Sequence, residues 1–233
     1  MKHQVYRLFS PSILKGITDK AVAREFIRVT GGIGGSLSML TGHAAGETQS
    51  PWTATGVKFQ EGGTDWCVER CTMKGFRTRP APGKTYWQGD GFATEHPNAR
   101  ITFERCQAFE NADAGFDLKG PDFLLDRCKS VRNGKNYRLW SGGDVTTIET
   151  IDPKVCHLHL CISAQHAERQ VIKVGHLIAS GDKPLLYVET VKGAIPPRII
   201  IDKLTLTRVS KLLQVSGAQP EISWPKDTPS KGL

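Results

Sequence analysis

Side chains that could do acid–base chemistry recur at nearly regular intervals in the middle of the chain. Asp117, Arg138 and His159 follow one another at intervals of 21 residues, and Lys119 and Trp140 keep the same interval two positions later. A carboxylate or an imidazole can move a proton, and a cation can neutralise an anionic substrate. An indole offers a flat apolar face on which a sugar ring can stack. These residue types at this spacing predict a site that binds and cleaves a glycan.

Further candidates flank these five positions. Glu95 is the second carboxylate of the predicted site, and Tyr187 and Glu189 occupy the corresponding positions further along the chain. Trp87 lies in an insertion, Arg77 to Gly89, that is rich in Pro, Gly and aromatic residues. It is expected either to overhang the site as a second sugar platform or to fold back over the edge of a repeat. The predicted catalytic residues are Arg138, Lys119, Asp117, Glu95 and His159, and the predicted substrate-binding residues are Trp140, Tyr187, Trp87 and Glu189.

The alignment of these residues depends on a sequence repeat. The segments Gly91 to Glu95, Gly115 to Lys119 and Asn136 to Trp140 match one another, and Cys106 and Cys128 occupy equivalent positions between them. A fixed period with short alternating apolar runs and Gly or Asn at the corners is typical of a solenoid.

Two apolar patterns describe each repeat. The first has apolar residues at positions 0, 2, 5 and 7, as in Ile101, Phe103, Cys106 and Ala108. The jump of three positions predicts two short strands that meet at a bend. The second pattern is a short strand with two inward residues around one outward residue. Its inward pairs are Val57/Phe59, Phe92/Thr94, Phe116/Leu118, Tyr137/Leu139, Leu158/Leu160, Leu186/Val188 and Leu213/Val215.

Repeats of this length predict an all-β fold, a right-handed parallel β-helix of about seven coils with about three strands in each coil. Outward residues of neighbouring coils approach within about 5 Å, so Asp117, Arg138 and His159 should lie on one wall. Thr18 is predicted to cap a short helix through about Val29, which would cover the first coil. The predicted divisions are an N-terminal cap over residues 1–55, the β-helix over residues 56–217 and a C-terminal tail over residues 218–233.

The segments Asp113 to Gly120, Asp126 to Ser130 and Asn136 to Trp140 resemble the right-handed parallel β-helix proteins of the pectin-lyase-like superfamily. The similarity is greatest to an uncharacterised bacterial branch of that superfamily, and it covers about residues 56 to 217. The resemblance implies cleavage of an acidic polysaccharide, by a lyase rather than a hydrolase, and a secreted or periplasmic location.

The resemblance also implies a metal ion. In the pectate lyases of that superfamily, calcium held by Asp and Glu acidifies the proton alpha to the uronate carboxyl, and Asp117 and Glu95 are the candidate calcium ligands of this chain. Arg138 or Lys119 would remove that proton if desolvated. The Asn-Thr-Asp and Asp-Asp pairs typical of polygalacturonase-type hydrolases are absent from the sequence. Glu95 and Asp117 alone could still serve as acid and base.

A non-catalytic interpretation of the same residues stays open. Opposite charges on neighbouring strands, such as Asp117 beside Arg138 or Glu95 beside Lys119, are also ordinary cross-strand pairs on a solvated sheet. On this interpretation the chain is a glycan-binding or structural module of a larger surface or secreted protein.

The six cysteines are predicted to be free thiols. Cys71, Cys106 and Cys128 occupy the same position of the repeat, where small buried side chains pack one above another. No tandem Cys-x-x-Cys pairs are present, and the histidines lack metal-ligand spacing, so no metal is expected at His159. Cys161 is expected to be a partly buried thiol rather than a nucleophile beside His159.

Composition limits the classes of partner. The net charge of +8 on 233 residues favours a polyanion such as an acidic polysaccharide. Nucleic acid is not expected, because neither a continuous basic block nor zinc-finger spacing is present. No apolar run reaches the length of about 18 residues that spans a membrane, and the first residues do not resemble a signal peptide. We expect a monomer.

Overall fold

The computed structural model describes residues 6–9, 12–49 and 51–228, and the regular elements in these ranges are all β-strands. No helix in these ranges is long and apolar enough to cross a membrane. In chain order the strands are β1 (Tyr6–Leu8), β2 (Ile13–Lys15), β3 (Thr18–Val22), β4 (Glu25–Thr30), β5 (Ile33–Ser38), β6 (Thr41–Ala44), β7 (Glu47–Gln49), β8 (Thr55–Gln60), β9 (Thr64–Glu69), β10 (Thr72–Lys74), β11 (Arg77–Arg79), β12 (Asp90–Thr94), β13 (Thr102–Glu104), β14 (Gln107–Phe109), β15 (Ala114–Leu118), β16 (Phe123–Val131), β17 (Lys135–Leu139), β18 (Gly143–Ile151), β19 (Cys156–Ile162), β20 (Val171–Ser180), β21 (Leu186–Thr190), β22 (Arg198–Thr207), β23 (Leu213–Ser216) and β24 (Glu221–Ser223).

Two large sheets contain nearly all of these strands. Sheet A has nine strands in the order β1-β4-β8-β12-β15-β17-β19-β21-β23, and all its neighbouring strands are parallel. Sheet B has thirteen strands, while β7 and β11 pair separately. Neighbours in a sheet are not consecutive in sequence, because each repeat from β12 onward contributes strands to both sheets. This all-β arrangement of parallel sheets is consistent with a β-helix or another solenoid.

The register of sheet A follows the inward pairs predicted from the sequence. Phe92 pairs with Phe116, Phe116 with Tyr137, and Tyr137 with Leu158, and all four side chains are buried. The rings of Phe92 and Phe116 stack with centroids 4.8 Å apart, and those of Phe116 and Tyr137 with centroids 5.1 Å apart. Each aromatic pair stabilises the fold by about 0.5–1.5 kcal/mol beyond its buried area. The inward residues therefore hold the outward residues of the same strands in alignment.

Sheet B contains the bend predicted from the jump of three positions. Arg105 separates β13 from β14 with a φ of 50°, and Arg70 and Arg127 occupy equivalent places, also with a φ of 50°. A left-handed conformation costs a residue with a side chain about 1–2 kcal/mol. Backbone hydrogen bonds offset this cost, because Arg70 N donates to Glu104 O at 2.9 Å and Arg105 N to Asp126 O at 2.8 Å. The bend thus recurs at the same place in successive repeats.

The residue after each of these arginines is a buried cysteine. Cys106 Sγ donates to Val68 O at 3.2 Å, and Cys128 Sγ donates to Phe103 O at 3.2 Å. The six cysteines all lie within the described residues and are free thiols. Cys71, Cys106 and Cys128 form a column of small side chains packed inside the bend.

The corners before β15 and β17 hold buried asparagines. Asn133 Oδ1 accepts a hydrogen bond from Asn111 N at 2.8 Å, and Asn133 Nδ2 donates to Ser130 Oγ at 2.9 Å. Gly115, at the start of β15, passes so close to this network that a Cβ there would lie 2.1 Å from Ser130 Oγ. These contacts hold the corners from which β15 and β17 begin.

The helix predicted from Thr18 to Val29 is wrong. The segment forms β3 and β4, and β4 pairs with β8 so that Ile27 faces Val57 and Val29 faces Phe59. Branched residues such as Ile27 and Val29 favour strands, and pairing with β8 supplies backbone hydrogen bonds from a neighbour. A short isolated helix is only marginally stable, so this pairing prevails.

The predicted division into cap, β-helix and tail stays a prediction. The pairing of β4 with β8 crosses its first boundary, and β24 within the predicted tail pairs with β22. Residues 1–5, 10–11 and 50 of the predicted cap and 229–233 of the predicted tail lie outside the described residues.

Candidate functional site

Outward side chains on sheet A line an open cleft of about 550 Å³. Eight of the nine predicted site residues line it: Glu95, Asp117, Lys119, Arg138, Trp140, His159, Tyr187 and Glu189. The exception is Trp87, although its neighbours Tyr86 and Gln88 both line the cleft. These eight side chains lie on or directly after five neighbouring strands of sheet A, and Thr55 and Lys58 of β8 extend the lining to a sixth strand.

The strand register places these side chains next to one another. Asp117 on β15 pairs with Arg138 on β17, and Arg138 pairs with His159 on β19. His159 in turn pairs with Tyr187 on β21. Neighbouring parallel strands lie about 4.8 Å apart, so the four side chains form one row along the cleft.

Arg138 is held by two buried carboxylates. Its Nη1 lies 3.2 Å from Asp113 Oδ2, and its Nε lies 3.9 Å from Asp117 Oδ1. Lys135 Nζ lies 2.7 Å from Asp113 Oδ1, so Asp113 bridges two cations. Burial lowers the pKa of Arg138, but the charges of Asp117 and Asp113 raise it by more, and the net pKa is above its usual value. The guanidinium therefore stays protonated.

Lys119 lies between the two carboxylates that were predicted to bind calcium. Its Nζ is 2.5 Å from Glu95 Oε2 and 3.7 Å from Asp117 Oδ2. Burial lowers the pKa of Lys119, but Asp117 and Glu95 raise it by more, so the net pKa is raised. An ammonium group therefore already lies beside both carboxylates, and the calcium site stays a prediction without structural support.

Asp90 also lines the cleft, although it was not among the predicted site residues. Its Oδ1 accepts a hydrogen bond from Ala114 N at 2.9 Å, and its side chain is buried. Burial raises the pKa of Asp90 well above its usual value, and the negative charges of Asp117 and Asp113 raise it further. Asp90 thus holds a proton to higher pH than an ordinary aspartic acid.

Asp117 has a different environment from that of Asp90. Burial raises the pKa of Asp117 as well, but the cations of Lys119 and Arg138 oppose that rise. The indole Nε1 of Trp140 also donates a hydrogen bond to Asp117 Oδ1 at 2.7 Å. The net pKa of Asp117 is still above its usual value, but Lys119, Arg138 and the indole N–H favour its charged form, whereas the charges of Asp117 and Asp113 disfavour the charged form of Asp90.

Asp113, Lys135 and Tyr86 were missed from the sequence as well. Asp90 and Asp113 share a local signal, because each stands one or two residues before a Gly-Phe pair of the repeat. Tyr86 has no such signal. Its hydroxyl accepts a hydrogen bond from Lys135 Nζ at 3.0 Å across a sequence separation of 49 residues. Part of the insertion thus reaches back to the cleft.

The far end of the cleft holds a His–Glu pair beside a thiol. His159 stacks on Tyr187 with ring centroids 4.7 Å apart, and its Nε2 lies 3.2 Å from Glu189 Oε2. Cys161 Sγ lies 3.6 Å from the same oxygen. Burial, followed by the charge of Arg138, lowers the pKa of His159 to about 4. The imidazole is therefore neutral at pH 7.

The fold and the cleft define an all-β protein of parallel sheets with a cleft that carries fixed charges of both signs. No protein-family model, curated protein or solved structure matches the chain. The roles of the cleft residues are accordingly argued from their geometry.

Proposed function

We propose that the chain is a right-handed parallel β-helix with the architecture of the pectin-lyase-like superfamily, and that it cleaves an acidic polysaccharide in the cleft of sheet A. The parallel pairing of β12, β15, β17 and β19, with strands of sheet B between them in sequence, supports a coiled path. Crossovers between parallel strands of one sheet are right-handed in nearly all proteins, which supports the hand.

The dimensions and lining of the cleft suit an extended chain of sugars. Six neighbouring strands at about 4.8 Å spacing give a length of about 24 Å, enough for several sugar units. Trp140 and Tyr187 each offer a ring at the cleft wall. Stacking of a sugar on such rings needs little rearrangement, because both are already held by neighbours.

The cations of the cleft favour an anionic polymer. Lys58, Lys119, Lys135 and Arg138 line it, and the chain as a whole carries a net charge of +8. Lys58 makes only a loose contact, with its Nζ 3.8 Å from Glu95 Oε1. A uronate carboxylate at this position would gain a cation that Glu95 holds weakly.

The buried position of Asp90 at the cleft, where burial and the charges of Asp117 and Asp113 raise its pKa, is the observation that carries the proposal for catalysis. Cleavage of a glycosidic bond needs an acid to protonate the leaving oxygen and a carboxylate to act as base or nucleophile. Enzymes usually assign these two roles to a pair of carboxyl groups whose environments give them different pKa values. Both carboxyls have raised pKa values, but that of Asp90 lies well above its usual value and suits the acid, whereas the cations beside Asp117 favour its role as the carboxylate partner.

Elimination is the second candidate reaction. Arg138 and Lys119 present two fixed cations at the cleft, which would neutralise a uronate carboxylate and so acidify the proton beside it. The sequence predicts Arg138 or Lys119 as the base, but their raised pKa values favour binding of the uronate carboxylate over removal of a proton. In elimination Asp117 would take the proton, and Asp90 would protonate the leaving group.

A panel of polysaccharides tests the proposal. The chain is incubated with polygalacturonate, alginate and hyaluronan, and with dextran as a neutral control, while new reducing ends and near-ultraviolet absorbance are recorded. Reducing ends without absorbance indicate hydrolysis, and both together indicate elimination. Binding of the acidic polymers without new ends would overturn the enzymatic proposal and favour a non-catalytic module.

Substitution of the proposed acid refines the same experiment. Asp90→Asn should abolish turnover while leaving binding of the polymer intact, because the amide keeps the shape but has no acidic proton to transfer. Glu149→Gln is the matched control, since Glu149 pairs with Lys129 on sheet B, away from the cleft. Equal turnover in Asp90→Asn and the control would exclude Asp90 as the acid.

A further inference from the structure

We propose that His159, Cys161 and Glu189 bind a zinc ion at the end of the cleft, with the fourth coordination position open to solvent. The ligand atoms of these three side chains all lie within 4.8 Å of one another. In the part of the chain that the structure describes, this is the one group of three or more His, Cys, Asp or Glu side chains close enough together to hold a metal ion. The histidine spacing in the sequence predicts the opposite, namely that no metal binds at His159.

Two neighbouring strands of sheet A position the three ligands. His159 and Cys161 are two residues apart on β19, so both side chains point to the same face of the sheet. β21 pairs with β19 so that Glu189 lies directly beside Cys161. Glu189 is 28 residues from Cys161 in sequence, so no local motif could reveal the set.

The separations around Glu189 match those of a tetrahedral zinc site. Glu189 Oε2 lies 3.2 Å from His159 Nε2 and 3.6 Å from Cys161 Sγ. Zinc bonds of about 2.0–2.1 Å to nitrogen and oxygen and about 2.3 Å to sulfur require ligand separations of about 3.3 Å and 3.6 Å, respectively. The separation of the thiol and the imidazole is at most 4.8 Å.

The types of ligand select zinc over the hard cations. Calcium and magnesium take oxygen ligands, whereas a thiolate and an imidazole together favour zinc. His159 and Cys161 are 3% and 6% exposed, so the soft ligands are held in place. Glu189 is 41% exposed and lines the cleft, which leaves a path for a hydrated ion. Stacking on Tyr187, with 6° between the ring planes, fixes the orientation of the imidazole.

The local charges are also compatible with a metal ion. A neutral imidazole would bind zinc through the lone pair of Nε2 and carry its hydrogen on Nδ1. The S–H bond of Cys161 would break as the Zn–S bond forms, and the proton would pass to solvent. Zn²⁺ with one thiolate and one carboxylate has no net charge, so the bound ion adds no repulsion toward Arg138.

Three protein ligands with an open fourth position are the arrangement of catalytic rather than structural zinc sites. Water at the open position would become more acidic through the charge of the metal. The site does not depend on the proposed polysaccharide cleavage, which uses Asp90 and Asp117.

Titration of the full chain with Co²⁺ in place of Zn²⁺ tests the site without any polysaccharide. The expected result is a thiolate-to-cobalt charge-transfer band in the near ultraviolet, saturating near one equivalent and abolished by added Zn²⁺. Cys161→Ser should remove the band. Cys67→Ser is the control that keeps it, since Cys67 is a half-buried thiol on β9 of sheet B. Absence of the band in the unmodified chain, or its persistence in Cys161→Ser, would overturn the proposal.

A second variant covers the case in which Cys161→Ser fails to fold. Glu189→Gln changes a half-exposed side chain and should weaken Co²⁺ binding by more than about tenfold. Losing a residue that only hydrogen-bonds a metal ligand already weakens binding by about that factor, and Glu189 is proposed as a ligand itself. Unchanged affinity in this variant would also overturn the site. Because the readout is metal absorbance alone, its outcome is independent of whether polysaccharide is cleaved.

Discussion

The indole Nε1 of Trp140 donates a hydrogen bond of 2.7 Å to Oδ1 of Asp117 across a sequence separation of 23 residues. The register of β15 and β17 produces this contact, because Trp140 lies two residues beyond Arg138, the partner of Asp117. The bond joins the ring proposed to hold the sugar to the carboxylate proposed to act on it. Binding and catalysis should therefore respond differently to different substitutions of Trp140.

Trp140→Phe keeps an aromatic face but loses the donor to Asp117. We expect binding of an acidic polysaccharide to stay within about threefold, since stacking contributes about 0.5–1.5 kcal/mol and is retained. Turnover should fall by about tenfold or more, because a hydrogen bond to a charged group contributes about 1.5–3 kcal/mol. Trp140→Ala should weaken both. Calorimetric titration and turnover assays measure the two effects, and equal losses in the two variants would contradict this separation.

Asp113→Asn should shift the pH dependence of turnover. Asp90 acts while protonated, so turnover declines as the pH rises through its raised pKa. Asp113→Asn removes a negative charge that raises this pKa, and it frees Lys135 and Arg138 to lower it further. The alkaline limb of the turnover profile should therefore move to lower pH. Glu149→Gln should leave the profile in place, and an unmoved limb in Asp113→Asn would contradict the assignment.

Unfolding in urea provides a check on Asp90 that needs no substrate. A carboxyl whose pKa is raised in the folded state binds its proton more tightly there than in the unfolded chain. The stability from Asp90 is then complete below its unfolded pKa of about 3.9 and is lost as the pH rises through the folded pKa. Asp90→Asn should lack this decline. A parallel pH dependence in both proteins would show that the pKa of Asp90 is not raised.

Arg138→Ala should destabilise the fold strongly. It removes the cation that the buried Asp113 and Asp117 share and leaves each with one lysine, so the loss should approach the roughly 3–5 kcal/mol that breaking a buried pair costs. Arg79→Ala is the control, because Arg79 pairs with Glu47 on the surface and such pairs contribute about 1 kcal/mol or less. The free energies of unfolding in urea measure both. Similar losses would mean that the cleft network contributes little to stability.

Gly115→Ala should destabilise the corner before β15. The new Cβ would lie 2.1 Å from Ser130 Oγ and 2.6 Å from Asn136 O, so the buried corner must shift. Overpacking of this kind costs about 1–3 kcal/mol. Gly46→Ala is the matched control, because a Cβ at Gly46 meets no atom within 4 Å. Thermal unfolding compares the two variants, and an equal midpoint would contradict the close packing at Gly115.

Much of the arrangement of the cleft follows from the sequence alone. Alternation in a strand is a local property, so the inward residues Phe116 and Tyr137 imply that Asp117 and Arg138 face outward. The repeat then stacks equivalent positions, and His159 joins the same row. The same local reasoning failed from Thr18 to Val29, where the apolar spacing fits both a helix and strands. There the neighbouring strand β8 decided the outcome.

Other features of the cleft depend on groups that are remote in sequence. The raised pKa of Asp90 comes from burial and from charges on later repeats, and the position of Tyr86 comes from an insertion that reaches Lys135. Glu189 meets Cys161 only because β21 lies beside β19. The sequence by itself determined which residues alternate and repeat, since those properties are local. The tertiary structure decided which charges meet and how deeply they are buried, since electrostatic energies depend on distance and solvent exposure rather than on order along the chain.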